Sequence, residues 1–135
     1  MKKDLFRIID ANLNRSREGL RVCEEIARFA LEDERLTGEF KDLRHGISRN
    51  IKKFPGKSSA LLECRESRAD VGRKILSKSS RKDYKDVFFA NIQRAKESLR
   101  VLEEFSSIFN RSLSNAFAGL RFKVYELEKK TIARL

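Results

Sequence analysis

Polar residues suited to binding chemistry occur twice in this chain of 135 residues, in the same order and at the same spacing. The two sets are Asn12, Arg15 and Glu18 and, 79 positions later, Asn91, Arg94 and Glu97. On a helical wheel, the amide and guanidinium of each set fall within the apolar arc, which predicts that they point inward. Buried without partners they would be destabilising, and the glutamates at the edge of the arc are the nearest candidates. Two interpretations stay open: a polar network that fixes helix register, or a ligand site.

A second group of candidate residues lies in the middle of the chain, between Arg65 and Gly72. Arg65 and Arg68 offer guanidinium forks for phosphate. Asp70 offers a carboxylate for Mg²⁺ or a general base, and Gly72 leaves room for the backbone to approach a ligand. A turn with incidental charges is the alternative. The sequence contains no standard phosphate loop and no kinase glycine-rich loop, so any nucleotide site must use another arrangement.

Apolar periodicity predicts the helices that must position these groups. Four helices are expected, at roughly 7–33, 36–54, 81–110 and 113–133. The second and fourth carry apolar stripes with coiled-coil-like spacing, Leu36 to Phe54 and Leu113 to Leu127. The expected stop and caps are Pro55-Gly56 after the second helix, Ser80 with Asp83 before the third, and Ser112 before the fourth.

An internal repeat relates the two halves of the chain. Residues 11–30 match residues 90–109 with nine identities, and the match resumes in the helix that follows each. A duplicated helical hairpin predicts an all-α four-helix bundle with pseudo-twofold symmetry, formed by one domain. Its parts are the first repeat (7–54), a central connection (55–80) and the second repeat (81–135). The connection is expected to hold a short helix at Ser59–Cys64 and to pack through apolar residues, namely Leu61, Leu62, Val71, Ile75 and Leu76.

Charge and composition narrow the function classes. The chain carries a net charge of +11, and the stretch from Lys41 to Lys82 holds thirteen basic and four acidic residues. Polyanions, phosphorylated metabolites or an anionic membrane are therefore natural partners. Cys23 and Cys64 lack metal-ligand spacing and are expected to be reduced, with Cys23 in the core. No signal-peptide run and no stretch approaching the ~20 apolar residues of a membrane span is present, which predicts a cytoplasmic protein with no membrane partner.

Five stretches of the sequence together resemble one protein family. They are residues 7–22, the pair Arg44 and His45, Arg65 with Asp70–Gly72, residues 90–105, and residues 120–128. The family is the non-canonical hydroxymethylpyrimidine-phosphate kinase, a helical domain often fused ahead of thiamine-phosphate synthase. This chain departs from the family pattern at two positions, where it has Glu66 after Arg65 and Phe122 after Arg121.

The resemblance implies that ATP phosphorylates 4-amino-2-methyl-5-hydroxymethylpyrimidine phosphate to the diphosphate in thiamine biosynthesis, with ATP and Mg²⁺ required. Asp70 and Arg65 are then the expected catalytic residues, with Glu18 or Glu97 as alternatives to Asp70. The remaining substrate- and nucleotide-binding residues are expected to be Asn12, Arg15, Glu18, Arg44, His45, Gly72, Asn91, Arg94, Glu97, Arg121 and Tyr125. Arg65 and four of these residues, namely Arg15, Arg94, Arg44 and Arg121, are expected to form one basic cleft. One repeat is expected to serve the pyrimidine phosphate and the other ATP or a structural role.

Two other functions fit some of the same residues. The bundle could be a non-catalytic module that docks onto or regulates thiamine-phosphate synthase. Nucleic-acid binding by the basic middle segment is disfavoured, because the sequence has neither a groove-reading motif nor interleaved aromatic residues. The sequence leaves the oligomeric state open, a homo-oligomer included, and the metal ligands undefined.

Overall fold

A computed structural model describes residues 2–54, 58–76 and 79–135, and these residues are all helical or irregular, without strands. The α-helices are α1 (Lys2–Glu25), α2 (Glu34–Ile51), α3 (Ser58–Glu63), α4 (Tyr84–Ser106) and α5 (Arg111–Ile132). A π-helical turn, Ile26–Ala30, extends α1, and a 3₁₀ turn, Ser67–Ala69, follows α3. The all-α prediction is therefore confirmed. No helix within these described ranges is both long and apolar enough to cross a membrane.

Helix ends differ from the predicted ones where another side chain caps better. Asp83, and not Ser80, caps α4, which therefore begins at Tyr84. The predicted cap of α5 at Ser112 is wrong, because the side chain of Asn110 accepts the Leu113 N–H at 2.7 Å and the helix begins earlier.

The first helix is also longer at its start and shorter at its end than the predicted 7–33. It begins at Lys2 and gives way to the π turn after Glu25, and the side chain of Asp33 then caps α2. The second helix ends at Ile51, earlier than the predicted 54. The expected break at Pro55-Gly56 lies outside the described residues.

The four long helices pack along their apolar stripes. Helix α1 contacts α2 and α4, and α5 contacts α4 and α2. Helices α1 and α4 run antiparallel, because Phe6 near the start of α1 stacks on Phe109 just beyond the end of α4, whereas Cys23 lies against the Phe88 carbonyl. The predicted stripes supply much of the core, with Leu36, Phe40, Leu43, Ile47, Phe54, Leu113, Phe117, Val124 and Leu127 all buried.

The central connection packs less than predicted. The short helix is confirmed as α3, which contacts α1. Of the five apolar residues expected to pack, Leu61 alone is buried. The others, Leu62, Val71, Ile75 and Leu76, are 59% to 95% exposed. Because α3 is short, it can present only one of these side chains to α1. The apolar side chains after Asp70 pack against no other described helix and stay exposed.

Gly19 sets how closely α1 and α4 approach. A Cβ at this position would lie 2.8 Å from the backbone oxygen of Asn91 and 3.4 Å from the backbone nitrogen of Ala95. We expect Gly19→Ala to destabilise the fold by about 1–2 kcal/mol, since the overlap with backbone outweighs the better helix propensity of alanine. Urea denaturation measures this, with Gly38→Ala as the control because a Cβ there meets nothing within 4 Å. An unchanged or raised stability for Gly19→Ala would contradict the close approach.

The two cysteines should react differently with thiol reagents. Cys23 is buried, as predicted, and Cys64 is partly exposed. Burial, reinforced by the charge of Glu128, raises the pKa of the Cys23 thiol to about 12. The thiol therefore stays protonated, and unreactive, up to well above pH 8. We expect one thiol per folded chain to be labelled at pH 8 and two in urea. Labelling of both at equal rates in the folded chain would show that Cys23 is accessible.

Candidate functional site

Both repeats contain the same ion pair between their first and second helices. Arg44 donates to both carboxylate oxygens of Glu24, at 2.8 and 3.2 Å, and Arg121 donates to Glu103 at 2.9 Å. The hydrogen bond to Glu103 also raises the pKa of Arg121. Glu24 and Glu103 are equivalent in the repeat, and so are the two arginines. Arg44 and Arg121 therefore join helices, and the binding role expected from the sequence stays a prediction.

The neighbouring glutamates of the repeat lie on the surface, as i,i+4 spacing predicts. Arg21 pairs with Glu25 at 3.1 Å, and Arg100 pairs with Glu104 at 2.9 Å. In each repeat, the first of the two adjacent glutamates therefore binds an arginine of the next helix, and the second binds an arginine of its own helix.

A cleft of about 440 Å³ lies between the first half of α1 and the loop of the central connection. We call it the α1 cleft. Its lining residues are Asp4, Arg7, Ile8, Asp10, Ala11, Asn12, Asn14, Arg15, Arg65, Glu66, Ser67 and Asp70. Four residues expected from the sequence, Asn12, Arg15, Arg65 and Asp70, are brought together here. The volume lies in the range that small-molecule sites usually have.

The loop is held on α1 by one bidentate ion pair. Arg65 donates from Nε and Nη2 to the two carboxylate oxygens of Asp10, at 2.7 and 2.8 Å. This hydrogen bonding raises the pKa of Arg65. Arg7 donates to the backbone oxygen of Glu66 at a longer 3.4 Å. The geometry makes Arg65 the anchor of one wall of the cleft.

Asp10 is the residue that sequence reasoning missed. Asp10 is 8% exposed, and the second repeat does not share it, since Phe89 stands at the equivalent position. This difference was the available signal, because the acidic residue directly before the shared Ala-Asn motif occurs in the first repeat alone. It marks a place where the two repeats differ in function or contacts. The pair with Arg65 breaks the symmetry of the repeats at the loop that occurs once.

The two asparagines occupy equivalent places but do not form the interhelical network that was one interpretation. Asn12 donates to the Ile8 carbonyl and Asn91 donates to the Val87 carbonyl, both at 2.8 Å and within their own helices. The Asn12 side-chain oxygen has no hydrogen-bond partner among the residues described. Because Asn12 lines the α1 cleft, its oxygen is available to a ligand there.

Arg15 and Arg94 are exposed, so the prediction that they point inward is wrong. The glutamates expected at the edge of the arc, Glu18 and Glu97, are exposed as well. The buried arc of α1 centres on Ile9 and Leu13, which places Asn12 at its edge. Arg15 lies about 60° further round the helix and falls outside the arc. The same displacement applies to Arg94.

A cleft of about 410 Å³ lies between α4 and α5, and we call it the α4–α5 cleft. Its lining residues are Gln93, Lys96, Glu97, Arg100, Arg121 and Tyr125, of which Glu97, Arg121 and Tyr125 were expected from the sequence. Its cations are already paired, because Lys96 contacts Glu128 at 3.0 Å and Arg121 and Arg100 hold the acids described above. This cleft therefore offers a ligand less uncompensated positive charge than its lining suggests.

The remaining expected residues lie apart from these clefts. His45 is exposed on α2 and lines neither of them. Gly72 donates its N–H to the Asp70 side chain at 2.9 Å, which shapes the turn after the cleft. Arg44 sits between α1 and α2, whereas Arg121 sits between α4 and α5, so the expected single cleft of five arginines is not formed.

The acidic side chains of the α1 cleft could help to bind a metal ion that enters the cleft already bound to a phosphate ligand. The described part of the chain has no group of three or more histidine, cysteine or acidic residues positioned to hold a metal. Asp4, Glu66 and Asp70 nevertheless line the cleft, and none of them is in an ion pair with another described residue. Mg²⁺ commonly binds through one or two carboxylates, substrate phosphates and water, so these residues fit a Mg²⁺–phosphate complex.

Residues 7–130 match the model of the ThiD2 family, and the chain belongs to it. Several similar curated proteins are named thiamine-phosphate synthase. The one from Synechocystis sp. (strain ATCC 27184 / PCC 6803 / Kazusa) is 40% identical over 126 residues, covering 92% of this chain and 35% of the relative. Those from Thermosynechococcus vestitus and Rhodopirellula baltica are 39% and 34% identical, covering 93% and 95% of this chain.

The chain spans about a third of the length of these relatives, 34% to 35%. No solved structure is significantly similar to it.

Proposed function

We propose that this chain phosphorylates 4-amino-2-methyl-5-hydroxymethylpyrimidine phosphate to the diphosphate with ATP, as a step of thiamine biosynthesis. The observation that carries the proposal is the Asp10–Arg65 pair, which holds the loop against α1 and so builds a cleft around Asn12, Arg15 and Asp70. Family membership supports it, and so does the name of the relatives, whose reaction concerns thiamine phosphate.

The chemistry of phosphoryl transfer determines what these side chains must do. A phosphate oxygen of the pyrimidine phosphate attacks the γ-phosphorus of ATP, the bond from that phosphorus to the β–γ bridging oxygen breaks, and ADP leaves. The attacking oxygen is already deprotonated near neutral pH, since the second pKa of such a phosphate is about 6. A general base is therefore unnecessary, and the protein must mainly position the phosphates and neutralise their charge.

Arg7 and Arg15 are the cationic side chains of the α1 cleft that have no ion pair with a described residue, so they serve the phosphates in this proposal. The free oxygen of Asn12 accepts from the amino group of the pyrimidine ring. Asp70 helps to hold Mg²⁺, which supplies charge neutralisation on the phosphates. Of the two roles expected for Asp70, metal ligand and general base, the proposal keeps the first.

We also infer that the chain is a four-helix bundle with pseudo-twofold symmetry. The contacts of α1 with α2 and α4, and of α5 with α4 and α2, support a closed ring of four helices. The equivalent ion pairs Glu24–Arg44 and Glu103–Arg121 support a duplicated hairpin. The cleft, in contrast, belongs to one repeat, because the loop and Asp10 occur once.

The purified chain tests the function directly. Incubated with ATP, Mg²⁺ and the pyrimidine phosphate, it should form the pyrimidine diphosphate and ADP in equal amounts. Absence of product across a range of phosphorylated pyrimidines would contradict the proposal and favour a module that docks onto thiamine-phosphate synthase.

Asp70→Asn separates the metal role from a structural one. Asparagine keeps a side-chain oxygen for the Gly72 N–H, so the turn should persist, but it loses the negative charge. We expect turnover at limiting Mg²⁺ to fall by about tenfold or more and to recover in part at high Mg²⁺, with an unchanged pH profile. Wild-type turnover at every Mg²⁺ concentration would remove Asp70 from the site.

A further inference from the structure

Arg15 and Arg94 stand out among the arginines of the chain because they are equivalent in the repeat, exposed and unpaired. Neither guanidinium group makes a hydrogen bond or an ion pair with another described residue. Arg44, Arg65 and Arg121, in contrast, each hold a carboxylate at 2.7 to 2.9 Å. The guanidinium groups of Arg15 and Arg94 occur in both repeats and join no helices. Both are therefore available to bind a ligand.

The contacts between α1 and α4 bring these two positions to the same level of the bundle. The helices are antiparallel, and Gly19 lies against Asn91 and Ala95 with almost no space between the backbones. Arg15 is one turn before Gly19 on α1, and Arg94 immediately precedes Ala95 on α4. The two arginines therefore start from neighbouring turns on either side of the closest approach.

The helical register also places both on the outer side of that contact. Asn91 faces α1, since its backbone oxygen is the atom nearest to Gly19. Three residues on, Arg94 lies about 60° round α4 from Asn91, toward the surface. Arg15 bears the same relation to Asn12 on α1, and it lines the α1 cleft. Both side chains thus start from the same outer face of the contact between α1 and α4.

We propose that Arg15 and Arg94 form a single clamp for one phosphate chain, across the pseudo-twofold axis that relates the repeats. Resting on the proposed function, this replaces the expectation of one ligand per repeat with one composite site, in which α4 completes the α1 cleft. The ligand is a polyphosphate, either the triphosphate of ATP or the diphosphate of the product. Two guanidinium forks on adjacent phosphoryl groups neutralise charge and fix the direction of the chain.

Equilibrium binding of inorganic pyrophosphate tests the clamp without relying on catalysis. Isothermal titration calorimetry of the full chain should give one pyrophosphate per chain. Arg15→Gln and Arg94→Gln should each weaken binding about tenfold or more, as expected for the loss of a charged hydrogen bond. The double variant should lose less than the product of the two single losses, because both act on one ligand. Arg35→Gln on α2, whose side chain is 84% exposed, is the matched control for charge and should change binding less than about twofold.

If Arg15 and Arg94 belonged to two separate binding sites, the titrations would give a different result. Two pyrophosphates per chain, with each variant abolishing one and leaving the other unchanged, would overturn the clamp, as would losses that multiply. The outcomes distinguish the clamp from the function on which it rests. A chain that transfers no phosphate from ATP but binds pyrophosphate through both arginines refutes the function and keeps the clamp. A chain that makes the diphosphate, yet in which Arg94→Gln leaves pyrophosphate affinity and kcat/KM unchanged, keeps the function and refutes the clamp.

Discussion

Arg65→Gln is expected to lower kcat/KM for the pyrimidine phosphate by about 100-fold, the loss typical of a displaced catalytic constellation. Glutamine cannot form the bidentate bond to Asp10, so the loop would leave α1 and Asp70 would lose its place in the cleft. The free energy of unfolding should also fall, because the Asp10 side chain is only 12% exposed and loses its partner, but by less than in a fully buried pair, since the Arg65 side chain is 44% exposed. Steady-state kinetics and thermal denaturation on the same preparations separate the two effects.

Two further variants make this prediction specific. Asp10→Asn should reproduce the kinetic loss, and the double variant should be little worse than either single one, since one bond is removed in each case. Arg68→Gln, in the same loop, removes an equal charge from an exposed side chain that lines no part of the cleft, and it should remain near wild type. Equal losses for Arg65→Gln and Arg68→Gln would show that the loop contributes general charge and is not anchored by Asp10.

Arg44→Gln is expected to cause the second large effect, a loss of about 3 kcal/mol in the free energy of unfolding. The variant leaves the Glu24 carboxylate, whose side chain is 4% exposed, without its main partner. Arg121→Gln should act in the same direction but less strongly, because the Glu103 side chain is 18% exposed. Urea denaturation measures both losses.

The surface pair supplies the control for this prediction. Arg100→Gln breaks the ion pair with Glu104, in which both side chains are more than half exposed, and should cost less than about 1 kcal/mol. Replacing Glu24 and Arg44 together by methionine should recover much of the lost stability, since no buried charge is then left unpaired. If Arg44→Gln kept full stability but lost ligand binding, the original expectation that Arg44 binds ligand would be restored.

Local patterns predicted the helices well because apolar periodicity reports which face of each helix is buried. Stripes such as Leu113 to Leu127 form the core, and α3 lies where it was expected. The orientation of α1 was misjudged by about 60°, enough to bury Arg15 in the prediction when it is exposed in the structure. The predicted arc was displaced because a helical wheel counts every apolar residue as buried, including Phe29, which is 65% exposed.

The cleft could be predicted in part. Asn12, Arg15, Arg65 and Asp70 were identified, but Asp10 was not, because its partner is 55 residues away and no local pattern encodes that contact. The same limit affected Arg44 and Arg121, whose neighbours Glu24 and Glu103 lie on other helices. Residue types and spacing predict which groups can bind a ligand, whereas tertiary contacts decide which of them are already paired.

A crystal structure of the chain with the pyrimidine phosphate and a nonhydrolysable ATP analogue would show where both ligands bind. We expect the pyrimidine ring beside Asn12 in the α1 cleft, the phosphates near Arg15, and the Asp10–Arg65 pair intact. Pyrimidine phosphate bound in the α4–α5 cleft, with the α1 cleft open to solvent, would contradict the proposed site.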